Sequence, residues 1–252
     1  MKNIQNILLE LSLEKDIQIL YACETGSRAW GFPSPDSDYD IRFIYVHKRD
    51  WYLSLSEQRD TIEQMIGDFD VSGWDVRKCL HLLKKSNAPL LERFQSPIEY
   101  MSDNDIRDEF KNLIARYYSP IAVFYHHYSL ATNFWNDLKD KEEIKLKSFF
   151  YLIRSLLSCN WIINDDSVLP MKVEGLMKYI DDNLKDRFRE LIKLKSTVGE
   201  KHLHKADADL YDWIKTMFEK FALAKDNIKV NNKNMDSLNE FFIKMFYAKT
   251  ND

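Results

Sequence analysis

The chain has 252 residues, 45% hydrophobic and 30% charged, with 36 Lys+Arg against 40 Asp+Glu for a net charge of −4. That length suits one large domain or two small ones. The acidic balance counts against a general nucleic-acid coat, which needs broad positive potential, though not against a local basic groove. No run approaches the ~18–20 apolar residues of a membrane span. Glu10 and Glu14 interrupt any signal-peptide core near the N-terminus, so a cytoplasmic protein with no membrane partner is expected. Cys23, Cys79 and Cys159 are odd in number and far apart, which predicts buried small side chains rather than a disulfide framework or a zinc site.

Residues 3–15 place Ile4, Ile7, Leu8 and Leu11 at helical spacing. Residues 17–23 read as a buried strand, Ser27 opens a short helical turn, and 39–46 alternate as a second strand. Residues 61–71 read as a third strand kinked at Gly67. Ser72 followed by Asp75, just before Val76, Cys79, Leu80 and Leu83, is a capping-box signature and predicts a helix over 72–85. Asn87-Ala88-Pro89 stops it and another turn follows. After Pro97 helical periodicity dominates, over 104–118, 120–138, 142–163, 172–195, 207–226 and 236–248. The expected fold is α+β: a small mixed β-sheet with helices on one side over 1–105, followed by an all-helical domain over 106–252.

Irregular backbone concentrates in one place. Of six glycines and six prolines, two of each fall between Gly26 and Pro35. There Thr25-Gly26-Ser27-Arg28-Ala29-Trp30-Gly31-Phe32 precedes a loop and then Asp38-Tyr39-Asp40. Alternate residues of a strand share a face, so Asp38 and Asp40 project to one side. Two close carboxylates repel each other unless a cation lies between them. Hard divalent ions suit such a pair, above all Mg²⁺, which is usually held by carboxylates together with substrate phosphates. Glycine at Gly26 lets a phosphate approach the backbone, a helix start offers N–H groups, and the Ser27 hydroxyl adds a donor. A third acid completes a two-metal site. Asp68, Asp70 and Asp75 are candidates. Asp70, between apolar Phe69 and Val71, is preferred, with Asp75 next.

These residues resemble the DNA polymerase beta-type nucleotidyltransferase superfamily, whose signature is Gly-Ser, about ten residues, Asp-x-Asp and a later acid. Within it, Gly26-Ser27-Arg28-Ala29-Trp30-Gly31, Ser37-Asp38-Tyr39-Asp40-Ile41-Arg42, Asp60-Thr61-Ile62-Glu63 and Gly73-Trp74-Asp75-Val76-Arg77-Lys78 resemble the RNA-ligase-associated nucleotidyltransferase family, RlaP. Lys84-Lys85-Ser86-Asn87-Ala88-Pro89 departs from the family's Lys-Gly-Asn-Pro. The resemblance is dense over 22–98 and thin beyond. It implies Mg²⁺ or Mn²⁺, a nucleoside triphosphate such as ATP, and a helical domain closing over it. Asp38, Asp40 and Asp70 would be catalytic and metal-binding. The acceptor would be an RNA end, or otherwise a protein side chain (an AMPylating, antitoxin-like activity) or a small molecule. A catalytically idle nucleotide-sensing module is the alternative from another class.

Further candidates surround this core. Arg28 and Arg42 flank the site and can pair with a carboxylate or bind phosphate. Lys147, Tyr151 and Arg154 share one helix face and can meet the nucleotide. Adjacent His126 and His127 point about 100° apart on a helix and do not chelate one ion well, so they read as packing or surface residues.

Overall fold

The computed structural model describes residues 2–249 except Ala206 and Asn232. Met1 and residues 250–252, the outer ends of the two expected domains, lie outside the described residues. The elements in chain order are α1 (Lys2–Glu14), β1 (Ile17–Glu24), α2 (Gly26–Trp30), β2 (Tyr39–His47), α3 (Arg49–Leu53), β3 (Thr61–Ile66), β4 (Phe69–Asp75), α4 (Val76–Lys84), α5 (Ala88–Arg93), β5 (Glu99–Ser102), α6 (Asn104–Tyr117), α7 (Pro120–Leu138), β6 (Glu143–Lys145), α8 (Leu146–Ile162), α9 (Val173–Leu176), α10 (Asp182–Lys195), β7 (Leu203–Lys205), α11 (Ala208–Ala224) and α12 (Asp236–Lys249). They fall into two compact units. One takes the chain up to Gly26, then Asp38–Tyr118, then the segment that carries α12; the other takes Ser27–Ser37 and Ser119–Asn231.

The first unit is built on a mixed five-stranded sheet in the order β3-β4-β2-β1-β5. Only β2 and β4 run parallel. Strand alternation sends Tyr21 and Ala22 to opposite faces. Ala22 joins Phe43, Tyr45 and Val71 under Ile4, Leu8 and Leu11 of α1. Tyr21 stacks on Phe94 at 4.9 Å, and Phe94 stacks in turn on Phe110 of α6. Arg93, almost fully buried, lies over Trp74 at 3.5 Å and donates to the Phe43 carbonyl, and burial pulls it down to about 10. The C-terminal helix α12 returns to this unit, with Phe241 against Phe110 and with Phe242 and Phe246 against Tyr52.

Three sequence expectations change. Residues 61–71 are not one kinked strand. Ile66 pairs with Phe69, so Gly67 and Asp68 form a two-residue hairpin turn, with Gly67 at φ +59°. The glycine reverses the chain instead of bending it. Second, α4 begins at Val76, because Ser72 and Asp75 are still paired in the sheet opposite Arg42 and Tyr45. Asp75 is itself the cap and accepts the Arg77 N–H at 2.8 Å. Third, 172–195 divides at a 3-10 turn over Met177–Tyr179, and Asp181 caps α10. The short strands β5, β6 and β7 were not anticipated at all.

The second unit is helical. Buried residues of α7 and α8 include Phe124, Ala131, Phe150, Ile153 and Leu157, and Phe221 of α11 meets Phe124 edge-on. Beside them β6 and β7 form a small antiparallel ribbon.

Candidate active site

The parallel pairing of β2 with β4 sets Asp40 directly beside Asp70. Asp40 and Arg42 are two apart on β2 and share a face. The Arg42 guanidinium enters between the acids. Its Nη2 lies 2.9 Å from Asp40 Oδ1 and 2.8 Å from Asp70 Oδ2, and Nη1 donates to the Asp70 carbonyl at 2.8 Å. Side-chain exposures of 28% for Asp40, 43% for Asp70 and 19% for Arg42 leave the acids reachable from solvent. Clustered carboxylates require a cation to offset their repulsion, and here a fixed guanidinium supplies one.

Asp40 is held from its backbone as well. Its carbonyl accepts the Thr25 N–H at 2.9 Å. Its own N–H donates to Glu24 Oε1 at 2.8 Å. Glu24, at the end of β1, is fully buried, and its other oxygen accepts the Tyr100 hydroxyl. Gly26 follows at φ +63°, and a Cβ there would stand 1.9 Å from Asp40 Oδ2. Glycine is therefore demanded twice, by the left-handed backbone and by the carboxylate lying against it.

Ser27 and Arg28 belong to the helical unit. Arg28 donates to the Ser37 carbonyl at 2.7 Å, the Ser37 hydroxyl meets Glu200 Oε1 at 3.2 Å, and Lys147 Nζ meets Glu200 Oε2 at 2.6 Å. Lys195, buried, donates to Ser34 Oγ at 2.8 Å, and burial lowers it from the ordinary lysine value. Tyr151 packs between Trp30 and Phe134, and buried Arg154 lies over the Trp30 ring at 4.3 Å. His127 is fully buried, and among the described residues neither of its nitrogens has a hydrogen-bond partner. Burial, reinforced by the Arg154 charge, pushes it well below the ordinary histidine value.

This geometry can be set beside known proteins. The family model RlaP, described as the RNA repair pathway DNA polymerase beta family, matches residues 1–244. The chain belongs to the RlaP family. It is also similar to the uncharacterized protein YcgL of Bacillus subtilis (strain 168), 39% identical over 224 residues that cover 88% of this chain and 86% of that one. A shorter stretch of 74 residues is 27% identical to the tRNA (34-2'-O)-methyltransferase regulator WDR6 of Drosophila melanogaster, covering 29% of this chain and 7% of that protein. Membership of RlaP implies a polymerase beta-like nucleotidyltransferase, and the mixed sheet with its helices is consistent with that fold.

The expected RlaP residues are distributed unevenly. Asp40, Asp70, Arg42 and Gly26 come together in the sheet unit. Asp38 is exposed, one residue before β2. Asp68 sits in the exposed hairpin turn. Asp75 lies at the far end of β4 from Asp70, where it caps α4 and accepts the Tyr52 hydroxyl at 2.6 Å. Burial above all pushes Asp75 upward, against the hydrogen bonds from Tyr52 and Arg77. Among the described residues no three His, Cys, Asp or Glu side chains converge as a ready metal cage. The donor chemistry of Asp40 and Asp70 still fits a hard divalent ion: both are carboxylates and both are partly exposed. The three cysteines are buried and free, and burial pushes Cys23 and Cys79 up to about 12, away from the nucleophilic thiolate.

Glu24, Tyr100, Lys195 and Glu200 escaped sequence reasoning. Glu24 carried one usable signal, an acid ending an apolar strand just before Gly26. The other three had none, because their relation to the Gly-Ser and Asp-x-Asp stretch is made only by folding. No described helix is long and apolar enough to cross a membrane.

Proposed function

We propose that the chain is a divalent-metal-dependent nucleotidyltransferase that moves a nucleoside monophosphate from a nucleoside triphosphate to an acceptor hydroxyl, releasing pyrophosphate. The observation that supports this reading is the register of β2 with β4, which sets Asp40 and Asp70 side by side with Arg42 between them. Asp38, Asp40 and Asp70 are the residues that would hold Mg²⁺ or Mn²⁺. Once bound, such an ion stabilises charge on the transferring phosphoryl group and makes the acceptor hydroxyl more acidic. Asp70 takes up the hydroxyl proton at a carboxylate oxygen. Gly26 and the adjoining Ser27 would offer backbone and hydroxyl donors to phosphate oxygens. Arg42 orients Asp40 and Asp70 through its fork of hydrogen bonds.

The family description, an RNA repair pathway, supports an RNA end as acceptor. The test offers labelled ATP, GTP, CTP and UTP with Mg²⁺ to pools of RNA, protein and small molecules. Transfer to RNA is expected, and Asp38→Asn and Asp40→Asn abolish it while the melting temperature holds. Label on protein would make the chain an AMPylating enzyme instead. Triphosphate binding without any transfer would make it a nucleotide sensor. Full activity in both variants overturns the site.

A further inference from the structure

A fully buried carboxylate is costly unless hydrogen bonds or a neighbouring cation offset the desolvation of its charge. Glu24 is such a carboxylate. It is closed off from solvent, and both of its oxygens are engaged, one by the Asp40 N–H at 2.8 Å and one by the Tyr100 hydroxyl. Its backbone is locked as well: its N–H donates to the Ile98 carbonyl at 2.9 Å, and its carbonyl accepts the Ser96 hydroxyl at 2.7 Å. The grip on Asp40 is two-sided, because Thr25, the next residue, holds the Asp40 carbonyl. Glu24 therefore fixes the peptide from which the Asp40 side chain departs toward Arg42 and Asp70. Its carboxyl group also lies in a water-excluded place beside them, where electrostatic influence is screened least.

We propose that Glu24, oriented by Tyr100, is a positioning residue for a divalent-cation site at Asp40 and Asp70, setting the Asp40 carboxylate and strengthening its hold on the ion. This rests on the nucleotidyltransferase reading above. The full-length parent, Glu24→Gln, Tyr100→Phe and Asp40→Asn proteins are titrated with MnCl₂ by isothermal calorimetry, with melting curves recorded alongside. Glu24→Gln keeps the shape and an acceptor oxygen but loses the charge, and should weaken Mn²⁺ binding by about tenfold, in the range seen when partners behind metal ligands are removed. Tyr100→Phe should weaken it in the same direction by less. A purely structural Glu24 would change the melting temperature and leave Mn²⁺ affinity at the parent's value, which overturns the proposal. If Glu24→Gln does not fold, Tyr100→Phe decides, and parent-like affinity there overturns it equally. Loss of Mn²⁺ binding in Asp40→Asn with no change in Glu24→Gln refutes only the role of Glu24. Parent-like binding in Asp40→Asn refutes the ion site itself and the proposal with it.

Discussion

Replacing Gly26 with alanine separates backbone strain from displacement of the Asp40 carboxylate. The added Cβ would stand 1.9 Å from Asp40 Oδ2, so the carboxylate must retreat by about 1.5 Å to reach ordinary contact. The left-handed backbone at φ +63° adds a cost of about 1–2 kcal/mol. For a chain of this size that strain lowers the melting temperature by roughly 2–8 °C. The effect on catalysis should be larger in proportion, because a 1 Å misplacement of a reacting group costs on the order of 100-fold in rate. Gly31→Ala is the control: its φ of +94° carries comparable strain, but a Cβ there meets nothing within 4 Å. Both variants are assayed by melting and by transfer of labelled nucleotide under single-turnover conditions. Both variants should melt lower, Gly26→Ala by more because its Cβ also displaces Asp40, with transfer falling by about 100-fold in Gly26→Ala alone. If the two variants turned over within about threefold of each other, the placement of Asp40 against Gly26 would have no catalytic meaning.

Two further outcomes follow from the same geometry. Asp75→Asn should retain transfer, because Asp75 serves as a helix cap beside Tyr52, whereas Asp70→Asn should lose it. Equal loss in the two would return Asp75 to the list of candidate metal ligands. His127 is held below the ordinary value of 6.5, so the unfolded chain binds its proton more readily than the native one, and stability must fall as pH drops through 6.5. Urea midpoints measured from pH 7.5 to 5 should decline in the parent and decline less in His127→Leu. The slope should not vanish, since burial lowers His47 and His204 in the same direction. An unchanged slope in the variant would remove His127 from the account.

Local pattern determined much of this protein. The apolar spacing of α1, the buried run of β1, the alternation of β2 and the long helices from α6 onward follow from side-chain periodicity, which is a property of neighbours in sequence. The Gly-Ser turn and the Asp-x-Asp pair were legible for the same reason, since all of their geometry lies within sixteen residues of chain. Local pattern misled where one residue type serves two geometries. Gly67 can kink a strand or reverse it, and pairing of Ile66 with Phe69 chose reversal. The Ser72–Asp75 spacing matched a capping box, but pairing of β4 with β2 kept both residues in the sheet and made Asp75 the cap. Only tertiary structure decided that Asp70 stands beside Asp40 rather than merely downstream of it, because register between strands from distant parts of the chain is settled by packing. The same holds for Tyr100 reaching Glu24, for Lys195 and Glu200 holding the loop before Asp38, and for α12 joining the sheet unit. The sequence by itself names the acids; the pairing of β2 with β4 determines that Asp40 and Asp70 stand side by side on Arg42.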